Sequence, residues 1–385
     1  MVKVAVKLAA AATKKESIIV VEIDNGGTPM VSFSATGDMQ VYTTIRLGTK
    51  PEGYKKVAIP AIFIAAVSTV AGFAEDINME FKDNEMSLSA GTAKVPIPYI
   101  AEEIPDTVLG NTMGYVTVDT AALKAAINSV RQFILPAKSG VSWVNCIGLD
   151  VQDAQIKLIG ASSLGVAYKS LPINNHDLTV PRLAVSPVLL SKAVSLMDDE
   201  STWLYVMGEK NDNGTFPKSI NVMDKSGSMY IIPLLTTSYG NVENMIDEFF
   251  STSRFKETFK KKDLISAIKV AELSDNNSFM MRVESGKMHI SDIFNKGYVD
   301  VYNSKGSVIN SELKKTYFNP VFFSNAVNSV SADDITLYGN SEGDKPQQDL
   351  VVMAEADGVR MGFMPIVLET AETQGEQVKQ QQEEQ

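Results

Sequence analysis

His176 and His289 are the only histidines, and Cys146 the only cysteine, in a chain of 385 residues. A transition-metal centre needs several such ligands at short spacing, and neither H-E-x-x-H nor a cysteine pair occurs, so no metal site is expected. Nucleotide hydrolysis would need a phosphate-cradling loop, and GNSEGDKP lacks its residue order. No G-x-S-x-G presents a serine nucleophile, no carboxylates stand out as a pair, and no cofactor motif is found. A Ser/His/Asp triad assembled across the fold is the remaining catalytic alternative, and it ranks last. What does cluster is basic: Lys3, Lys7, Lys14 and Lys15 at the start, and Lys256, Lys260, Lys261, Lys262 and Lys269 around a later helix start. The formal net charge is −11, which taken alone argues against a general nucleic-acid binder. A helix-associated basic set inside an acidic chain is therefore the feature to place, with scattered solvated charge as its competing reading.

The elements that must carry those residues repeat. IPAIFIAAVSTV (59–70), VSPVLLSKAVSLM (185–197) and NPVFFSNAVNSV (319–330) align on Pro60, Pro187 and Pro320, which are 127 and 133 residues apart. In each, apolar residues fall at +2, +3, +6, +7 and +10, one stripe of a helix, with alanine always at +6 and valine at +7. Ser186 can cap its helix, and proline suits the first helical position. A second helix precedes each: YVTVDTAALKAAINSVRQF with Asp119 as cap, RFKETFKKKDLISAIKVAELS, and a shorter one in MVKVAVKLAAAATKKES. Alternating segments such as SIIVVEID, MVSFSAT, EMSLSAG, QIKLIGAS, KMHISDI and DITLYGN read as strands separated by turns. His176 falls in an expected loop and His289 in an expected strand.

The pattern predicts an α+β protein of three tandem two-helix, antiparallel-sheet domains. The expected domains are 1–113, 114–248 and 249–370, followed by a polar Gln/Glu-rich tail at 371–385 predicted to be disordered. Acidic residues gather in expected connections: AEEIPD, MDDE and ENMIDEFF. A single cysteine excludes an internal disulfide and points to a reducing cytoplasm. Lysines interleaved with the first apolar residues argue against a signal peptide, and the Val57–Ala74 run is periodic, as a core helix is.

Three tandem copies, with SWVNCIGLDVQDAQIKLIGASSLGVAYKSLPI, LTVPRLAVSPVLLSKAVSLM and the closing GFMPIVL, together resemble the bacterial DNA polymerase sliding clamp, the β subunit of DNA polymerase III. The resemblance covers Tyr115 to Leu368 well and Val2 to Pro105 more loosely. It implies a non-enzymatic ring of two subunits, head to tail, that encircles duplex DNA and tethers a replicative polymerase. A basic lumen facing phosphates would then sit inside an acidic exterior, and phosphate contacts carry no sequence information. The implied lumen residues are Lys3, Lys7, Lys124, Arg131, Lys192, Lys262 and Lys269, an ordinary solvated lysine being the alternative for each.

The resemblance also implies a pocket for short Gln/Leu/Phe-type peptides of polymerase and clamp loader. By position it comprises Val144, Ala161, Ser163, Leu164, Gly165 and Val166, then Gly240, Asn244 and Met245, then Phe363, Met364, Pro365, Ile366 and Leu368. SSLG stands where the family has D-G-H-R, YGNVEN replaces F-P-D-Y-R-R, and residues beyond Leu368 extend the usual terminus. Val95 and Ile97 are implied to face Leu273 of a neighbouring subunit. Pro96 and Pro98, two apart in VPIPYI, mark that strand as an edge. The alternative from another class is a non-catalytic scaffold of the same fold that does not encircle DNA.

Overall fold

Ser186 and Asn319 cap two of the proline helices, their side-chain oxygens accepting from Leu189 N at 3.4 Å and Phe322 N at 2.8 Å. Pro187 and Pro320 are the first helical residues, where a missing N–H costs nothing. The remaining copy differs. Pro60 ends a strand, Ala61 offers no capping oxygen, and the helix begins at Ile62. All three bury the +3, +6 and +7 positions of the expected stripe, Phe63, Ala66 and Val67; Leu190, Ala193 and Val194; Phe323, Ala326 and Val327, while at +2 Ile62 is exposed and Leu189 and Phe322 are half-buried.

The structure, a computed structural model, describes residues 1–14, 17–24, 28–100, 104, 110–134, 143–152, 154–176, 182–211, 214–237, 239–274, 277–313, 315–339 and 352–366. The first copy runs α1 (Val2–Leu8), β1 (Ile18–Asp24), β2 (Met30–Thr36), β3 (Gln40–Arg46), β4 (Lys55–Pro60), α2 (Ile62–Val70), β5 (Asn78–Lys82), β6 (Glu85–Ala90) and β7 (Ala93–Pro98). The second runs β8 (Asn111–Asp119), α3 (Thr120–Val130), β9 (Ile147–Gln152), β10 (Gln155–Ser162), β11 (Gly165–Pro172), β12 (Asn175–His176), β13 (Leu183–Val185), α4 (Pro187–Ser195), β14 (Ser201–Asn211), β15 (Gly214–Met223) and β16 (Met229–Pro233). A connector helix, α5 (Glu243–Thr252), follows. The third copy is β17 (Phe255–Lys260), α6 (Lys261–Ser274), β18 (Phe279–Glu284), β19 (Lys287–Asp292), β20 (Tyr298–Val301), β21 (Thr316–Phe318), α7 (Pro320–Asn328), β22 (Asp334–Gly339), β23 (Val352–Ala356) and β24 (Val359–Phe363). As expected, Asp119 caps α3, accepting from Ala122 N at 2.7 Å.

One expectation is corrected and another refined. ENMIDEFF, expected as a connection, forms the connector helix α5, because Ile246 and Phe249 recur at helical spacing and both are buried; the boundary expected near Glu248 falls within that connector. His176 lies in the short strand β12, paired with Val116 of β8.

The chain divides into two compact units, Met1–Ile127 with Gly148–Lys157 and Leu171–Ser238, and Asn128–Ile147 with Leu158–Ser170 and Tyr239–Gln385. The first holds a nine-stranded sheet, β12-β8-β14-β15-β16-β3-β2-β1-β4, and a separate β5-β6-β7 sheet. Phe33 of β2 stacks on Phe63 of α2 at 5.5 Å, tying sheet to helix. The second unit holds the sheet β20-β19-β18-β21 and the strand run β11-β24-β23-β22-β17. Its core is aromatic: Phe255, Phe259, Phe279, Phe318, Phe323 and Phe363 surround Leu264 and Ile268 of α6. Among the described residues no helix is long and apolar enough to cross a membrane.

One pairing rule runs through both units. The third strand of one copy's first half pairs antiparallel with the last strand of the next copy. In the first unit this is β3 with β16, from Met229 opposite Tyr42 to Ile231 opposite Gln40. In the second it is β11 with β24, from Gly165 opposite Phe363 to Lys169 opposite Val359. The two strands left over, β7 and β20, are both sheet edges.

Candidate nucleic-acid and partner surfaces

The basic residues separate by what their charges already touch. Lys7 on α1 forms a nearly dry ion pair with Asp224, Nζ to Oδ2 2.9 Å, with side chains 12% and 5% exposed. It also donates to Ser228 Oγ at 2.8 Å. Lys124 donates to Met197 O, and Lys192 to Ala10 O, each at 2.8 Å. Lys261 does the same to Val330 O at 2.8 Å. In each case an ammonium satisfies a carbonyl just past the end of a helix, where the helix leaves acceptors unpaired. Lys7, Lys124 and Lys192, expected to face phosphate, thus each join elements within the fold. Lys3 is exposed and pairs with Asp198 at 3.2 Å, a contact that water and salt screen. Arg131 is exposed in the single turn after α3. Lys262 and Lys269 project from α6 into solvent, and neither has a partner among the described residues.

Of the residues expected to form the peptide pocket, Leu164, Gly165 and Val166 lie at or just before the start of β11, and Phe363, Met364, Pro365 and Ile366 at and beyond the end of β24, which pairs with it. Met364 N donates to Leu164 O at 2.9 Å, and Ile366 N to Tyr317 O at 2.8 Å. Leu164, Met364, Pro365 and Ile366 are half-buried there, while Val166, Ala161 and Phe363 are core. The expectation that Val166 lines an open cleft with the other three is corrected: it lies opposite Gly362, inside the sheet. Gly165 is glycine for a packing reason. A Cβ there would run into Gly362 O, and would stand 3.2 Å from both Phe133 and Phe322. Phe133 meets Phe322 edge-on at 5.1 Å and Phe363 at 5.7 Å, so aromatic rings floor this junction. Ser163 is exposed in the turn before β11, and Val144 is half-buried. Gly240, half-buried, and Asn244, exposed, flank the start of α5, and Met245 lies on that helix. Leu368 and the expected tail lie outside the described residues.

A polar network the sequence reading missed ties α5 to this junction. Arg360 Nη1 donates to Asp247 Oδ1 at 2.7 Å and to Tyr168 Oη at 3.2 Å, and Tyr168 donates to Asp247. Burial pushes the Tyr168 hydroxyl up, and Asp247 adds to it. Burial alone would lower the Arg360 guanidinium, but its bonds to Asp247 and Tyr168 raise it instead. The guanidinium also lies 5.0 Å from the Phe250 ring. Helical spacing of Ile246, Phe249 and Phe250 was the available signal for α5; nothing local in sequence links Asp247 to residues 168 and 360.

At the strands left over, Leu273 stands 88% exposed at the end of α6, and Val95 is half-exposed on β7. Ile97, expected beside Val95 at a subunit contact, is 1% exposed and belongs to the core of its own copy. Alternation along a strand sends neighbours to opposite faces, but Val95 and Ile97 share one, and the deeper of the two is covered. Elsewhere, burial pushes the Cys146 thiol up to about 11, leaving it inert at neutral pH. Among the described residues, no three His, Cys, Asp or Glu side chains gather as a metal site requires.

No protein-family model matches the sequence, and no curated protein does. Solved structures do. A DNA polymerase sliding clamp from Pseudomonas aeruginosa, crystallised with a ligand, aligns with a TM-score of 0.75 at 11% identity, over 95% of this chain and 97% of that one. A Helicobacter pylori beta clamp bound to a DNA ligase peptide gives 0.74 at 14% identity, over 95% and 97%. The DNA polymerase III beta subunit of Thermotoga maritima gives 0.74 at 15% identity, over 96% and 97%. The chain has the sliding-clamp fold: three tandem α+β copies, each with two helices and antiparallel sheet.

Proposed function

We propose that this chain, with its sliding-clamp fold, is a non-catalytic processivity factor that closes head to tail with a second copy around duplex DNA. The observation that carries the reading is the pairing rule: two of three equivalent strand junctions form within the chain, and the halves of the third, β7 and β20, are left as edges. A second copy supplies the missing halves and leaves no junction open, as closed symmetry requires. Lys262 and Lys269, with Lys3 and Arg131, are the cations for phosphate, and contact through so few is sequence-blind and salt-sensitive. The half-buried apolar residues Leu164, Met364 and Ile366 fit the kind of peptide the Helicobacter pylori clamp holds, presented here by a polymerase or a clamp loader.

The test is retention. Loaded on nicked circular DNA by a loader from the same source, the protein is expected to stay bound in high salt and to leave once the circle is cut. Tight, sequence-selective binding to a short linear duplex would overturn the reading. A second reading, a scaffold of this fold that does not encircle DNA, is favoured by Pro96 and Pro98 on the closing edge. It predicts a monomer at all concentrations in light scattering.

A further inference from the structure

The strand that follows each proline helix is β5, β14 or β22. β8 pairs along β14 from Asp119 opposite Ser201 to Asn111 opposite Gly208, and β17 along β22 from Lys260 opposite Asp334 to Phe255 opposite Gly339. Among the described residues β5 has no such neighbour, and its sheet runs β5-β6-β7. We propose that the open side of β5 is a docking edge for an extended segment of a partner protein. That segment adds antiparallel, covers Met79 and Phe81 with apolar residues, and sets a base opposite Glu80 and an acid opposite Lys82.

Burial gives the first argument. Thr202 and Leu204 of β14, and Ile335 and Leu337 of β22, are each 1% exposed or less. Their flank is supplied by Val116 and Val118 of β8 and by Phe255 and Phe259 of β17, all buried. Met79 and Phe81, at the matching places on β5, are only half-buried, although Leu88 and Met86 opposite them on β6 are fully buried. The backbone gives the second argument. Lys82 and Glu85 flank the two-residue turn at Asp83 and Asn84, where Asp83 takes φ 47°, so they form a hydrogen-bonded pair. Alternation back along β5 directs Glu80 and Asn78 to β6 as well. Met79 and Phe81 then present their N–H and C=O groups to the open side, which is what strand addition uses.

The outward side chains say what the occupant carries. Where the third copy has its flanking strand, facing residues are chemically matched. Lys260 pairs with Asp334 at 2.8 Å, Thr258 bonds Thr336 at 2.9 Å, and Lys256 lies 5.2 Å over the Tyr338 ring. On β5 the outward row is Asn78, Glu80 and Lys82, so its match in antiparallel order is acid, apolar, base, apolar, polar. Glu80 and Lys82 already touch, but both are open to water, so that pair is weak and either charge can meet an incoming strand. A second copy of β5 is the wrong occupant, because antiparallel pairing about Glu80 sets two carboxylates against each other.

Isothermal titration of the full chain with the capped peptide Thr-Glu-Val-Lys-Val-Thr tests this. Saturable binding is expected, weakened about tenfold when Glu80→Lys and Lys82→Glu are made together, since both facing pairs then repel. The same double variant is expected to gain the exchanged peptide Thr-Lys-Val-Glu-Val-Thr, which also shows that it is folded. N-methylation of the two valines, whose amides face Phe81 and Met79, should abolish binding, and N-methylation of the lysine should not. No saturable binding, equal affinity of both chains for both peptides, or indifference to valine methylation would overturn the proposal.

Discussion

Lys7 Nζ lies 2.9 Å from Asp224 Oδ2, and this pair joins α1 to the loop between β15 and β16 with almost no water on either side chain. Removing one member of such a pair strands the other, at a cost of about 3 kcal/mol or more. Lys7→Ala is therefore expected to lower the urea midpoint strongly. Lys262→Glu with Lys269→Glu should leave the midpoint within about 0.5 kcal/mol of wild type and shorten retention on DNA, since both are unpaired surface sites. Urea titration beside a salt series of DNA retention separates the two classes. Equal loss of stability in both would show that the α6 lysines are also structural.

Met364 is half-buried where β24 runs on from its last paired residue. Met364→Asp is expected to abolish polymerase stimulation while the dimer constant stays unchanged, because Met364 belongs to neither of the strands β7 and β20. Apolar anchors in such surfaces commonly account for about 2 kcal/mol or more of binding. Isothermal titration with a Gln/Leu/Phe-type peptide, on wild type and variant, gives the direct reading. Equal peptide affinity in both would place the partner site elsewhere.

Tyr230 of β16 is fully buried, and its hydroxyl has no hydrogen-bond partner among the described residues. Burial pushes that hydroxyl's pKa up, and the carboxylates of Asp224 and Asp198 push it the same way. An unpaired buried hydroxyl costs about 1–3 kcal/mol, so Tyr230→Phe should leave the melting temperature unchanged or raise it. A drop of several degrees would mean that the hydroxyl has a partner after all.

Asp292 is buried at the end of β19 and accepts from Phe294 N at 2.7 Å, as well as from Lys296 and Gly297 N. Burial alone would raise its carboxyl, but those amides together hold it below the ordinary carboxylate value. A depressed folded value means that the carboxylate stabilises the fold fully above about pH 4 and progressively less as pH falls through that lowered value. The gap in urea midpoint between wild type and Asp292→Ala should be widest near neutrality and narrow as pH falls below the ordinary carboxylate value. A gap that widens in acid would contradict this sign. The loop it orders packs on α6, with Gly297 against Ser274 and Val270.

Sequence periodicity carried the helices and most strands, because apolar stripes report which face is buried whatever lies beyond. It missed α5, where the acidic residues interspersed with Ile246 and Phe249 masked them. It also misplaced Pro60, since the same residue suits a strand end and a helix start. The junction at β11 and β24 was legible as apolar text, but not which residues are wall and which are core. Val166 and Ile97 look like Leu164 and Val95 in sequence and differ only in what the next element lays over them. For lysines the limit is sharper. The carbonyls that hold Lys124 and Lys192 belong to residues 73 and 182 positions away, and no local pattern encodes such a contact.

In the later copies β14 and β22 are each flanked by a strand, β8 and β17, whereas among the described residues the matching strand of the first copy, β5, has β6 on one side only. An unpaired strand invites stacking with other proteins, and charge is the usual guard. Here Glu80, Lys82 and Lys94 stand exposed across that small sheet, with Lys82 bonded to Glu80 and Lys94 3.8 Å from it. The charges contribute little to holding the fold together, being open to water. Their consequence is colloidal: they keep a bare hydrogen-bonding edge from nucleating aggregates at the concentrations a cell or a test tube imposes.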